Sequence, residues 1–256
     1  MTNDFKRRLR AREYLLGLWL NLCHPTSAEI CATAGFDWLL IDGEHAPNTI
    51  DTILAQLRAI GPRTNTVVRL GTNVPTAAGP LLDIGVANLL VPMVDDARVA
   101  ATIVAAVRYP PRGIRGHAST LTRASGYGCD RDYVGAADDN VSVIAQIETP
   151  EAVANVHDIA AVEGVDALFI GLFDLSARLG HPNQPEHEAV QTAVRSVAAA
   201  ANRAGKPVGV FAPTAELAVL ARSAGCQLIA AGSDVGILAA ATRALARSQG
   251  CSTSRF

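Results

Sequence analysis

Trp38-Leu39-Leu40-Ile41-Asp42-Gly43-Glu44-His45, followed by a helical segment over Ile50 to Ile60 and a second apolar run over Thr66 to Leu70, decides the fold. The first four residues are apolar without alternation, the pattern of a strand buried on both faces of a parallel sheet. The run then stops at an acid, a glycine, an acid and a histidine. Ile50 to Ile60 repeats apolar residues at i, i+3 and i+4, as a helix lying on such a sheet does, and Gly61 supplies the left-handed residue that ends it. The unit reads strand, helix, strand, the crossover that parallel neighbours require.

Seven further segments outside or completing this unit share the strand character: Leu16 to Leu22, Thr66 to Leu70, Asn88 to Val94, Val141 to Ile147, Ala167 to Ile170, Val208 to Phe211 and Gln227 to Ala231. Helical periodicity recurs in Asp96 to Val107, Glu188 to Arg203 and Glu216 to Ser223. Glycines at Gly35, Gly85, Gly205 and Gly225 punctuate the units. Eight strands alternating with helices through 256 residues, with no Ser-, Gly- or Pro-rich linker, predict one closed (β/α)8 TIM barrel over 1–256. An amphipathic helix over about 2–13 precedes it and a last helix over about 235–247 follows. The competing architecture is an open doubly wound sheet, against which stands the missing G-x-G-x-x-G turn after the first strand.

Composition narrows the function classes. The 22 basic and 24 acidic side chains leave a formal charge of −2, no footprint for nucleic acid or an anionic membrane. No apolar run reaches the roughly 20 residues of a membrane span. Phe5-Lys6-Arg7-Arg8-Leu9-Arg10 is basic, but no apolar signal core follows it. Five cysteines at 23, 31, 129, 226 and 251 form no C-x-x-C pair, which reads as reduced thiols in a cytoplasmic protein.

In a barrel of this type the chemistry lies where strands end at their C-terminal side. Asp42, Glu44 and His45 follow the second strand, Arg69 ends the third, Gln146 and Glu148 end the fifth, and Gly171-Leu172-Phe173-Asp174 follows the sixth. Glu148 and Asp174, on adjacent strands, can approach one hard cation; Mg²⁺ often takes only one or two protein carboxylates. Either acid alone is equally read as a helix cap. Arg69 presents a permanent charge to a developing oxyanion, or closes the barrel top in an ion pair. His45 titrates near neutrality and suits a general base, although a lone histidine is more often structural.

Four segments carry a resemblance: Gly35-Phe36-Asp37-Trp38-Leu39-Leu40-Ile41-Asp42-Gly43-Glu44-His45-Ala46-Pro47-Asn48, Leu89-Leu90-Val91-Pro92-Met93-Val94, Arg108-Tyr109-Pro110-Pro111-Arg112-Gly113-Ile114-Arg115-Gly116 and Gln146-Ile147-Glu148-Thr149. From about Phe5 to Leu245 the chain resembles the HpcH/HpaI aldolase family, and within it the class II pyruvate aldolases of the 4-hydroxy-2-oxoheptanedioate type. The resemblance implies a barrel of the phosphoenolpyruvate/pyruvate-domain type that cleaves 4-hydroxy-2-oxo acids reversibly to pyruvate and an aldehyde. It implies Glu148 and Asp174 as ligands of a divalent metal (Mg²⁺, Mn²⁺ or Co²⁺), Arg69 as transition-state stabiliser, His45 as base and Asp83 as the acid that raises its basicity. Gln146 and the backbone of Gly171, Leu172 and Phe173, beside Asp174, would hold the pyruvate unit, with Asp42 and Glu44 behind them. The chain has only Lys6 and Lys206, neither read at the mouth, which argues against a lysine-imine mechanism.

Relatives often read Gly-Pro-Ala-Asp or Gly-Pro-Ser-Asp where this chain has Leu172 and Phe173, and carry smaller aliphatic residues at His117 and Phe211, positions read as lying toward the aldehyde. The resemblance further implies a homo-oligomer, commonly a hexamer, with the last helix exchanged; Ile237, Leu238, Ala241 and Leu245 form an apolar stripe that needs a partner. Acyl-CoA lyases of the citramalyl or malyl type share the barrel and the two carboxylates. Oxaloacetate decarboxylation passes through the same enolate, and a non-catalytic keto-acid-binding barrel is the reading from another class.

Overall fold

A computed structural model describes residues 3–250; Cys251 and the ends of the expected 1–256 span lie outside the described residues. Eight parallel strands close into a barrel in sequence order: β1 (Leu15–Leu20), β2 (Trp38–Asp42), β3 (Asn65–Arg69), β4 (Asn88–Val91), β5 (Ser142–Ile147), β6 (Ala167–Ile170), β7 (Val208–Phe211) and β8 (Leu228–Ser233), with β8 pairing back onto β1. The helices are α1 (Asp4–Arg10), α2 (Pro25–Ala32), α3 (Ile50–Ile60), α4 (Ala78–Asp83), α5 (Ala97–Val107), α6 (Tyr133–Asn140), α7 (Pro150–Ala154), α8 (Val156–Ala161), α9 (Leu172–Arg178), α10 (Glu188–Arg203), α11 (Ala215–Ser223) and α12 (Asp234–Ser248). The closed barrel excludes the open doubly wound sheet.

Strand periodicity divides the core in two. Leu39 and Ile41 of β2 and Leu168 and Ile170 of β6 face the helices, in the larger cluster. Trp38, Leu40, Val67, Ile144, Ala167 and Phe169 point inward and fill the barrel. Because successive side chains alternate between faces, the same parity carries Asp42 after Leu40, Arg69 after Val67, and Gln146 and Glu148 after Ile144 toward the inside. Small residues make room for large ones within the barrel: a Cβ on Gly17 would lie inside the Trp38 ring.

The end away from the polar residues is plugged by α1. Asn3 caps it by accepting from the Lys6 N–H at 3.0 Å, and it stops at Arg10, short of the expected span to 13, where Arg12 turns to φ 54. Phe5 and Leu9 are fully buried beneath Trp38. Lys6 reaches the Val141 carbonyl and pairs with Asp166 at 3.3 Å, while Lys206 donates to the Val162 carbonyl at 2.8 Å. Both amines are therefore engaged near the N-terminal ends of the strands, where no carbonyl substrate at the mouth can reach them. Among the described residues no helix is long and apolar enough to cross a membrane.

Between α5 and β5 the chain makes an excursion over residues 108–140 that strand and helix periodicity did not reveal. Its anchor is Arg115, buried with its guanidinium 4.5 Å from the Tyr109 ring centre and 5.8 Å from that of Tyr133. The last helix, expected over about 235–247, runs Asp234–Ser248. Val235, Ile237, Leu238 and Leu245 stand exposed on it, and only Asp234 is buried. An apolar face of this extent is unpartnered within one chain.

Candidate active site

At the C-terminal ends of the strands the inward-facing polar residues surround a cavity of about 220 Å³. Arg69 is its centre. Nε and Nη2 donate to the two Asp42 oxygens at 2.8 and 2.6 Å, a bidentate fork, and Nη1 lies 2.8 Å from Glu44 Oε2. The Glu44 approach is off the N–H axis, so it is an ion pair rather than an aligned hydrogen bond. The guanidinium also sits 5.2 Å from the Trp19 ring centre. Held on three sides and only 6% exposed, Arg69 has one orientation and needs no reorganisation to meet a negative charge.

Asp42 gathers this end of the barrel. Besides the Arg69 fork it accepts from Trp19 Nε1 at 3.1 Å, Asn21 Nδ2 at 2.8 Å and the backbone N–H groups of Glu44 and His45 at 2.9 and 3.2 Å. Burial raises its carboxyl, but the Arg69 and backbone donors outweigh it and leave the group below its ordinary value. The turn that delivers those N–H groups requires Gly43, where a Cβ would meet the Arg69 carbonyl at 2.5 Å. His45 is thereby fixed at the rim with its imidazole exposed, Nε2 lying 3.9 Å from Glu44 Oε2.

The opposite side carries Glu148, which is 3% exposed. Its Oε1 accepts from the Met93 N–H at 2.6 Å and its Oε2 from Gln146 Nε2. Met93 takes φ 52 to aim that N–H, a left-handed conformation uncommon for a residue with a side chain. It is also why β4 stops at Val91 rather than at the expected Val94. Burial pushes the Glu148 carboxyl up, and the Glu44 and Asp174 carboxylates push it further against its two donors. Asp174 stands exposed in the first turn of α9 and lines the cavity with Gly171, Leu172 and Phe173.

Around this mouth one guanidinium faces four carboxylates, Asp42, Glu44, Glu148 and Asp174. Among the described residues no group of three or more His, Cys, Asp or Glu forms a complete metal cage. The excess negative charge and the pair Glu148 and Asp174 nevertheless fit a hard divalent cation that keeps other positions for water or substrate. Gln146 Oε1, buried without a partner, is a further free oxygen at this place. Gly171 leaves the carboxylate its space, since a Cβ there would lie 2.6 Å from Glu148 Oε2. Gly171→Ala is expected to weaken divalent-metal affinity about 10–100-fold, the range for residues that orient a ligand, with calorimetric titration of Mn²⁺ as the check; unchanged affinity would show that Glu148 has room to spare.

The structure thus brings His45, Arg69, Asp42, Glu44, Gln146, Glu148, Gly171, Leu172, Phe173, Asp174 and Phe211 together. It does not bring Asp83 or His117 to them within one chain. Asp83 ends α4, which has returned to the far end of the barrel, and accepts from Arg115 Nη2 at 3.3 Å. His117 lies exposed in the excursion beside Tyr109, with ring centres 5.5 Å apart. Trp19, Asn21, Phe169 and Ser233 line the cavity as well and were not singled out from sequence. Inward parity along β1 and β6 was the signal that would have found Trp19, Asn21 and Phe169, whereas a shift of register after Ala230 breaks the alternation and sets Ser233 opposite Trp19.

A barrel whose strand-end mouth joins a clamped arginine, a rim histidine and two carboxylates suited to a divalent cation has the form of a metal-assisted lyase. The chain belongs to the HpcH/HpaI aldolase/citrate lyase family, whose model matches residues 15–241. It is 47% identical to a 4-hydroxy-2-oxo-heptane-1,7-dioate aldolase of Klebsiella pneumoniae, over 96% of this chain and 93% of that one. To a hydroxypyruvate/pyruvate aldolase of Delftia acidovorans it is 46% identical, over 92% and 88%. The crystal structure of a family protein from Burkholderia cenocepacia superposes with a TM-score of 0.93 at 42% identity, covering 96% of this chain and 99% of that one.

Proposed function

We propose that this chain is a class II aldolase that joins pyruvate reversibly to an aldehyde, giving a 4-hydroxy-2-oxo acid. The carrying observation is Arg69, locked by Asp42 and Glu44 and sharing one small cavity with Asp174 of α9 and with Gln146, which donates to Glu148 just after β5. The aldolase names of relatives at 46–47% identity support the same reading. Glu148 and Asp174 would hold the divalent cation, which when bound polarises the keto group and lowers the cost of the enolate's charge.

The remaining work falls to the chain's own residues. Gln146 and the first turn of α9, whose N-terminus no side chain caps, would orient the keto acid by its polar oxygens. His45 takes a proton from the methyl carbon, and the electron pair of that C–H bond becomes the enolate. Arg69 faces the enolate oxygen. The enolate carbon then attacks the aldehyde carbon; the carbonyl electrons move to the aldehyde oxygen, which takes up a proton. Cleavage runs these transfers backward. Within one chain the carboxylate nearest His45 is that of Glu44, so a role for Asp83 in raising the basicity of His45 requires a second copy of the chain.

The exposed apolar face of α12 supports such an assembly, a homo-oligomer and by family resemblance a hexamer. Light scattering is expected to give a multiple of the 26.7 kDa chain mass, and Leu238→Asp to lower it by burying a charge in the contact. A monomeric wild type at working concentration would remove the proposal. The described cysteines Cys23, Cys31, Cys129 and Cys226 are free thiols, which supports a reducing, cytoplasmic setting. The test of the activity itself is product formation from pyruvate and a panel of aldehydes, with and without Mg²⁺, Mn²⁺ or Co²⁺.

A further inference from the structure

One wall of the mouth is aromatic. Of six phenylalanines and two tryptophans in the chain, Trp19, Phe169, Phe173 and Phe211 line this one cavity. Their rings form a continuous surface, with centres 5.6 Å apart for Trp19 and Phe169, 5.4 Å for Trp19 and Phe211 and 6.1 Å for Phe173 and Phe211, tilted or edge to face. Phe169 is buried as a floor, while Phe173 and Phe211 are only partly buried and keep free ring area. Around the barrel, β2, β3 and β5 present acids, arginine and amide, whereas β7 and β1 present rings.

We infer that this aromatic wall is the acceptor subsite and that it takes an uncharged aldehyde with a flat apolar substituent, an arylaldehyde, in preference to one bearing a second carboxylate. The inference rests on the pyruvate aldolase reading above. Two observations carry it. Rings stack or meet edge to face with other rings, and the partly free Phe173 and Phe211 offer both approaches. Arg69 is the one guanidinium among the residues lining the cavity, no lysine lines it, and Arg69 is already engaged by Asp42 and Glu44. A carboxylate on the acceptor would therefore lie against electron-rich ring faces near Asp42 and Asp174, with no lysine and no unengaged guanidinium among the lining residues to pair it. The Klebsiella relative, by contrast, is named for a heptanedioate, which has a carboxylate at each end.

The step is balanced without any further reagent: one carbon–carbon bond forms, the aldehyde oxygen gains the carbonyl electron pair and one proton, and the aryl group remains on the hydroxyl-bearing carbon. Initial rates with pyruvate and either benzaldehyde or 4-oxobutanoate, at saturating Mn²⁺, give kcat/KM for each acceptor. Benzaldehyde is expected to be favoured by roughly tenfold or more, the scale of apolar pocket discrimination. Phe173→Ala and Phe211→Ala should each shrink that ratio several-fold, and Phe211→Tyr, which keeps the ring, should preserve it; thermal melting identifies any variant that fails to fold. A wild-type preference for 4-oxobutanoate overturns the inference, as does an aryl preference that survives loss of both rings. Wild-type exchange of pyruvate methyl protons in deuterated water separates the two levels. Exchange without aryl preference removes the acceptor assignment alone, and absence of exchange removes the aldolase reading with it.

Discussion

Turnover is expected to vanish in exhaustively chelated enzyme and to return with Mg²⁺, Mn²⁺ or Co²⁺, and Glu148→Gln is expected to cost at least about 100-fold in metal affinity, above the range for outer-shell residues. The reason is electrostatic. Glu148 is buried, and its carboxyl is pushed up first by that burial and then by Glu44 and Asp174; a cation between them removes the repulsion that the metal-free site must bear. Neutralising Glu148 removes the same repulsion without metal, so Glu148→Gln should melt no lower than the metal-free wild type. The pH dependence follows in sign. A folded value above the unfolded one means that the metal-free fold binds this proton more tightly than the unfolded chain. Its contribution to stability is present at low pH and is lost as pH rises through the raised folded value. Metal competes with the proton for the ionised carboxylate, so the apparent metal affinity should fall as pH drops. Full activity after chelation would defeat the assignment, and a large loss of thermal stability in Glu148→Gln with normal metal affinity would make Glu148 structural.

Local pattern was enough to place the barrel because the strands are mostly buried on both faces and carry short apolar runs. Trp38 to Asp42, Ala167 to Ile170 and Val208 to Phe211 begin and end where their sequences indicate. Errors arose where tertiary contacts rather than periodicity decide the chain's course. Met93 leaves β4 early to serve Glu148, which no neighbour in sequence announces. The excursion over 108–140 is organised by Arg115 against Tyr109 and Tyr133 and by the Tyr109 N–H on Asp138, all separated along the chain. His117 and Asp83 could not be positioned without it. The polar half of the site was legible because Asp42, Arg69 and Glu148 interrupt or end apolar runs. Of its aromatic half, Phe173 and Phe211 were singled out through the resemblance, but Trp19 and Phe169 were not, because they look like core residues until the topology shows that they stand at the mouth.

His45→Ala is expected to lower kcat for aldol cleavage by roughly 10²–10⁴, the range for a general acid or base, while pyruvate still binds. The imidazole lies on the rim and packs into nothing, its nearest charged neighbour being Glu44 at 3.9 Å, so its removal should leave the fold and the metal site as they are. Arg69→Ala should act differently. It removes the charge that faces the enolate and leaves Asp42 buried without its fork, so it should suppress every reaction through the enolate, oxaloacetate decarboxylation included, by about 10²–10³. It should also destabilise the chain by about 3–5 kcal/mol, as breaking a buried pair does. Arg69→Lys keeps a charge but not the bidentate geometry, and should recover stability more than rate. Exchange of pyruvate methyl protons in deuterated water, followed by NMR at saturating metal, distinguishes the two residues. His45→Ala should lose exchange yet retain much of the decarboxylation, because leaving carbon dioxide creates the enolate with no base, whereas Arg69→Ala should lose both. Wild-type exchange in His45→Ala would assign the proton transfer to another group, and decarboxylation that survives Arg69→Ala would remove the arginine from the enolate.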